Sequence, residues 1–148
     1  MVICFMSSSN VIKNVIKYFV RRRLAGDERF FKALEMIYVK NMSLSVVSNE
    51  IGLPRNTIKS IIVFLLRNLG SHARIAAVVK RVSPIVLSIE PIIVDVSPKA
   101  YRCKLCKKES TIGVRSMQPK LKHVEVYHSG LIDDYVNMVI KKIRGEPA

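Results

Sequence analysis

The sequence predicts a mainly α-helical protein with a small β component, and three observations carry that expectation. Apolar residues recur at helical spacing over segments 11–19, 31–38, 58–69 and 132–143. A Gly-Leu-Pro break at residues 52–54 separates two short segments by a tight turn. Proline-bounded, β-branched runs are confined to residues 85–96.

The first expected element is an amphipathic helix within residues 1–26. Ser7 to Asn10 offer N-caps, and Ile12, Val15, Ile16 and Phe19 form an apolar face, with Lys13 and Lys17 turned away. Arg21 to Arg23 suit a last turn, where cations favour the helix dipole. A core or dimer helix fits this segment better than a membrane-surface helix, whose apolar stripe would be longer. Gly26 ends it, and Asp27 can cap a second helix carrying Phe31, Leu34, Ile37 and Tyr38 to about Asn41.

Ser43 to Leu66 then reads as two helices joined by a tight turn. Val47, Ile51 and Leu53 are apolar around the turn, and Ser48 is small where two helices approach. Gly52 suits a left-handed helix end, and Pro54 suits the first turn of the following helix. Ile58, Ile61, Ile62, Leu65 and Leu69 form a buried stripe, leaving Arg55, Asn56, Lys59 and Ser60 on the other face. Gly70-Ser71 breaks this helix. Residues 72–82 suit either a fourth helix, on their alanines, or a wing strand, on Val78, Val79 and Val82. Arg74, Lys80 and Arg81 are phosphate-contact candidates in either case, and His72 is an ordinary surface or partly buried histidine. Ser83-Pro84 is a turn signal before two short strands, Ile85–Ile89 and Ile92–Val96, with Pro91 at an edge or bend. The expected organisation is an N-terminal helix (1–26), a three-helix domain (27–82), a β-rich connector (83–98) and a last module (99–148) bounded at Ser97-Pro98.

Ser48, Gly52, Thr57 and Ile58 match the small-residue, Gly and Thr-Ile pattern of one DNA-binding motif. The stretch resembles the helix-turn-helix of prokaryotic and archaeal regulators over about two dozen residues. The resemblance implies that the second helix enters the major groove, with Arg55, Asn56, Thr57, Lys59 and Ser60 meeting base edges or phosphates. It also implies a homodimer, since palindromic sites match twofold proteins. Helix-turn-helix units serve as interaction modules too.

The last module holds Cys103 and Cys106 two residues apart, then sixteen intervening residues, then His123 and His128 four apart. Two thiolates and two imidazoles suit a tetrahedral Zn2+ ion. Lys104, Lys107 and Lys108 would favour the deprotonated thiols. Residues 101–128 resemble a Cys2His2 zinc finger with its ββα arrangement, Tyr101 standing where that family often has an aromatic. The departures are specific. The family's spacing is about twelve residues, Ser110 and Thr111 stand where a second aromatic is usual, and Leu121 is one position late. The base-reading positions would fall on Ser116, Pro119 and Lys122, and proline has no hydrogen-bonding side chain. The resemblance therefore implies a structural zinc, with Lys120 and Lys122 left for phosphates. Glu125 lies between the histidines, but a metalloprotease needs Glu directly after the first His, where Val124 stands. No catalytic role is expected. A C-terminal helix follows, with Ile132, Val136, Val139, Ile140 and Ile143 on one stripe, covering the finger or pairing with a copy of itself.

Charge points the same way. A formal net charge of +14 over 148 residues makes a polyanion the natural partner, and both halves are basic. Duplex DNA is expected ahead of RNA. No apolar run approaches the roughly 18–20 residues of a membrane span, and the apolar start MVICFM lacks a charged leader. Residues 1–26 are acid-free, but make a better structural helix than a transit peptide. Three cysteines, two of them paired by spacing, suit a metal site and a cytoplasmic, nucleoid-associated setting, with Cys4 left over as a buried or mobile thiol. The absence of Trp, a single Gln and abundant Ile, Val, Lys and Arg lean toward a hyperthermophile. The expected function is a zinc-containing transcriptional regulator. The competing expectation is an adaptor subunit of a larger nucleoprotein assembly.

Overall fold

Asp27 opens the helix that organises the front of the molecule. Its carboxylate accepts from the Phe30 N–H and caps helix α2 (Glu28–Tyr38). The preceding helix α1 (Ser9–Leu24) is the central pillar, with Val15, Ile16, Phe19, Val20 and Leu24 fully buried. The computed structural model describes residues 9–98, 100–106, 109–110 and 117–145. Cys4, Ser7, Lys107, Lys108, Thr111 and Ser116 lie outside the described residues, and so does the Ser110 side chain.

Helix α2 stops three residues short of Asn41. Asn41 adopts a φ of +55°, and the Met42 N–H turns back to the Met36 carbonyl at 2.9 Å. Asn tolerates that left-handed conformation because its short side chain bonds locally. Phe19, Phe30 and Phe31 meet edge to face, at centroid distances of 4.9–5.9 Å, and lock α1 onto α2.

Helix α3 (Leu44–Ile51) is capped by Ser43 and ends at Gly52, whose φ of +71° is open to glycine without strain. The Ser48 hydroxyl donates to the Leu53 carbonyl at 2.6 Å, so this small residue fastens the turn as well as permitting close approach. Pro54 precedes the next helix instead of lying within it. With ψ at 144°, its carbonyl accepts from the Thr57 and Ile58 N–H groups and starts α4 (Arg55–Leu69). Ile58, Ile61, Leu65 and Leu69 are buried as their spacing requires, while Ile62 is half-buried.

Helix α5 (His72–Leu87) decides the open question at residues 72–82 in favour of a helix. It also overturns the first connector strand: residues 85–87 continue the helix, and Pro84 lies inside it. An interior proline costs about 3 kcal/mol. Here its ring is exposed, while Val82, Ser83 and Val86 beside it are buried. The burial of that face outweighs the lost hydrogen bond.

The second connector strand does form, as β1 (Ile93–Ser97). It pairs antiparallel with β2 (Ala100–Cys103), which pairs in turn with β3 (Glu109–Ser110), giving sheet order β1-β2-β3. Ser97-Pro98 therefore falls at the turn between two paired strands. The Ile92 N–H bonds the Leu24 carbonyl at 2.9 Å, tying this sheet to the end of α1. Gly26 passes so close that a Cβ there would lie 3.0 Å from the Ile93 carbonyl oxygen. Helices α6 (Met117–Tyr127) and α7 (Ser129–Ile143) complete the chain.

The C-terminal helix packs on α1 and α5, and Ile132, Val136, Val139 and Ile143 join one continuous core with Phe19, Leu65 and Val82. A smaller cluster of Ala33, Met36, Val47 and Ile58 lies under the helix-turn-helix. Among the described residues, no single helix is long and apolar enough to cross a membrane. Helices α4 and α5 are so only together, and they meet at 98° with apolar faces in the core.

Candidate metal centre and nucleic-acid interface

Four side chains from two stretches of the chain converge beside the sheet. Cys103 closes β2, Cys106 lies in the turn after it, His123 is on α6, and His128 occupies the break between α6 and α7. Their ligand atoms all lie within 4.8 Å of one another. The Cys103 sulfur is 3.3 Å from His128 Nε2, and the Cys106 sulfur is 3.3 Å from His123 Nε2. Such a group can hold a metal ion.

Local chain chemistry prepares each ligand. Pairing of Ile93 opposite Cys103 sets the depth of the first thiol, which is buried. Burial pushes the Cys103 thiol up, while the backbone N–H groups of Cys106 and Leu105 oppose that by donating to its sulfur. Of the lysines expected to favour the thiolates, Lys104 pairs its ammonium with Glu90 at 3.0 Å. His128 is fixed by its backbone: its N–H bonds the Val124 carbonyl and its carbonyl accepts from Ile132. One residue thus ends α6, starts α7 and presents an imidazole.

One neighbour of this centre differs from expectation. Lys120 is buried, with its ammonium 2.9 Å from Asp95 and over the Tyr101 ring at 5.6 Å. It fastens α6 to the sheet and is not placed to meet a phosphate. Lys122 is exposed. Glu125 is drawn away from the four ligands into a 2.9 Å ion pair with Arg21 of α1.

The second candidate surface is the leading half of α4. Arg55, Asn56, Thr57, Lys59 and Ser60 are all exposed on it. The Arg55 guanidinium hydrogen-bonds the Ser45 hydroxyl of α3, and the Ser60 hydroxyl donates to the Asn56 carbonyl at 2.9 Å. Val63 and Arg67 are not among the residues that the sequence pattern singles out. Both are exposed and continue the Asn56–Ser60 line by helical spacing. That spacing was visible in the sequence. Arg29 reaches the same turn from another helix, which no local spacing could signal: its guanidinium donates to the Gly52 carbonyl at 3.4 Å.

Of the three basic residues expected on α5, Lys80 is exposed on the side facing α2. Arg74 and Arg81 are exposed but hold helix ends. Arg74 donates to the Leu69 carbonyl at 3.3 Å and Arg81 to the Ile143 carbonyl at 2.8 Å. His72 stacks on Tyr38 and hydrogen-bonds its hydroxyl at 2.9 Å. Comparison with known families, curated proteins and solved structures gives no match for the chain.

Proposed function

We propose that this chain is a sequence-specific duplex-DNA-binding protein, a cytoplasmic and nucleoid-associated transcriptional regulator stabilised by a structural zinc. The observation that carries the reading is the leading half of α4, where five polar or basic side chains are exposed after a fastened Gly52 turn. A helix of this kind fits the major groove, and Asn56 has the amide geometry for a bidentate bond to adenine. The net charge of +14 supplies the sequence-independent part of the affinity.

Zinc is the metal favoured by this donor set. Bond lengths of about 2.3 Å to sulfur and 2.0–2.1 Å to nitrogen imply a tetrahedral S–N edge of roughly 3.5 Å, and both S–N pairs here are at 3.3 Å. Two thiolates and two imidazoles fill four positions, leaving none for water, and Glu125 is engaged with Arg21. The centre is therefore read as structural and the protein as a non-enzyme.

Selection from random duplex DNA at moderate salt tests the reading. An enriched motif is expected, and Arg55→Ala, Asn56→Ala and Lys59→Ala combined should abolish it. Asn56→Ala alone should cost about 1–3 kcal/mol of discrimination at a single adenine. Binding without any enriched motif, falling steeply with salt in both proteins, would reject sequence readout.

One feature favours the adaptor reading. Leu105, Val126 and Tyr127 are large, exposed and carried on the metal-ligand segments. If the triple variant keeps the selectivity of the parent, that reading replaces the first.

A further inference from the structure

We propose that Val63 is a specificity-determining residue, which packs on the 5-methyl group of a thymine in the major groove. The inference rests on the duplex-DNA reading of α4 and deepens it, by carrying base recognition two turns beyond Asn56.

Val63 is 43 % exposed, and it is the one apolar side chain among the exposed residues of α4, which are otherwise Arg55, Asn56, Thr57, Lys59, Ser60 and Arg67. A single exposed valine is ordinary on a protein surface, so its position decides what it can do. At about 100° per residue, Val63 and Arg67 each lie within about 20° of the line that Asn56 draws along the helix. That line runs opposite the stripe of Ile58, Ile61, Leu65 and Leu69, which is buried in the core. Whatever surface receives Asn56 therefore also receives Val63. An α-helix with its side chains is about 10–12 Å across and the major groove about 12 Å wide, so this face can enter the groove. Val63 then lies about 10 Å beyond Asn56 along the axis, or roughly three base-pair steps.

Charge and polarity select the partner of this face. Helix α4 contains no acidic residue, and Lys59 and Arg67, one turn to either side of Val63, form no ion pair among the described residues. One valine among polar and cationic side chains is too little apolar surface to dock a protein core or to enter a bilayer. Double-stranded RNA is disfavoured because its major groove is too deep and narrow for side chains to read. In the major groove of B-form DNA, the C5-methyl of thymine is the apolar group on the base edges, and apolar side chains are its ordinary partners. The valine methyl groups can neither donate nor accept a hydrogen bond. Facing the amino group of cytosine or adenine, they would leave that donor without a partner, which costs affinity.

The test uses the full-length, metal-loaded chain and the duplex enriched by selection. Each thymine is replaced in turn by deoxyuridine, which removes only the 5-methyl group, and the dissociation constant is read by fluorescence anisotropy at fixed salt. At one thymine within about three base pairs of the adenine that Asn56 contacts, affinity should fall about three- to fivefold, as the loss of one buried methyl implies. Val63→Ser should bind the thymine and deoxyuridine duplexes alike at that position, whereas Val63→Ile should keep the discrimination. Val63 lies outside both buried clusters, so neither change touches the core. Equal affinity of the parent for every substituted duplex overturns the proposal, and so does a methyl effect that survives undiminished in Val63→Ser. In both cases the enriched motif still stands, and with it the DNA-binding reading. A selection that enriches no motif rejects the two together.

Discussion

An ammonium group buried as deeply as that of Lys120 must find an anion, since an unpaired buried charge is far costlier than a buried methylene chain. Asp95 supplies it and the Tyr101 ring face adds to it. Asp95 is itself 57 % exposed, so water screens part of the pair. Removing Asp95 should strand the lysine, whereas removing the charge of Lys120 should strand nothing buried. Asp95→Ala is expected to cost about 1–3 kcal/mol in urea denaturation, and Lys120→Met close to none. Equal losses for the two would contradict this assignment. The contrast also marks what was legible at this scale. Asp27 and Gly52 do their work within three or four residues of themselves, so residue type and position were enough to find them. Lys120 meets a residue 25 positions away across a sheet, and nothing near it in sequence separates a buried lysine from a solvated one.

Among the elements, the helix-turn-helix was readable because its turn, caps and apolar stripe all fall inside one stretch. The Ser83-Pro84 signal misled because proline's local cost is small beside the burial of Val82 and Val86, which depends on α1 and α7 being present. Ligand spacing brought out the metal centre, but its elements were only partly foreseen. The third strand comes from Ile93–Ser97, before the boundary drawn at Ser97-Pro98. The centre should be less dominant than in an isolated finger, because Tyr101, Leu121, Val124 and Ile132 already belong to the main core. A small free finger owes nearly all its folding to zinc. Here chelation should loosen the ligand-bearing turns at Cys103–Cys106 and at His128 while α1 stays folded. Purified protein should contain about one zinc per chain. After chelation, amide exchange should accelerate at Lys104 and His128 and remain slow from Val15 to Leu24. A metal-free preparation in which Cys103→Ser and His128→Ala leave the melting temperature unchanged would remove zinc from the account.

For the whole molecule, the question is whether residues 27–82 form a domain in their own right. Their own buried cluster is Ala33, Met36, Val47 and Ile58, which is small. Leu65, Leu69, Ile75, Val78, Val82 and both core phenylalanines of α2 are buried in the cluster they share with α1 and α7. Burying one large aliphatic or aromatic side chain contributes about 1.5–3 kcal/mol, against a total stability of about 5–15 kcal/mol for an ordinary domain. Exposing five or six such faces by removing α1 and residues 83–148 therefore exceeds what the fragment can lose. The sequence could not reveal this, because apolar periodicity identifies the face that is buried and not the element that covers it. A fragment of residues 27–82 should show no cooperative melt by circular dichroism, while the full chain with its metal should unfold in one transition. If the fragment melts cooperatively and still selects the DNA motif of the parent, the helix-turn-helix is an autonomous domain. The shared core would then be a docking surface between two folded units. If it does not, α1 and α7 are as necessary to the recognition helix as the turn that begins it, since its C-terminal half rests on a core that those helices complete.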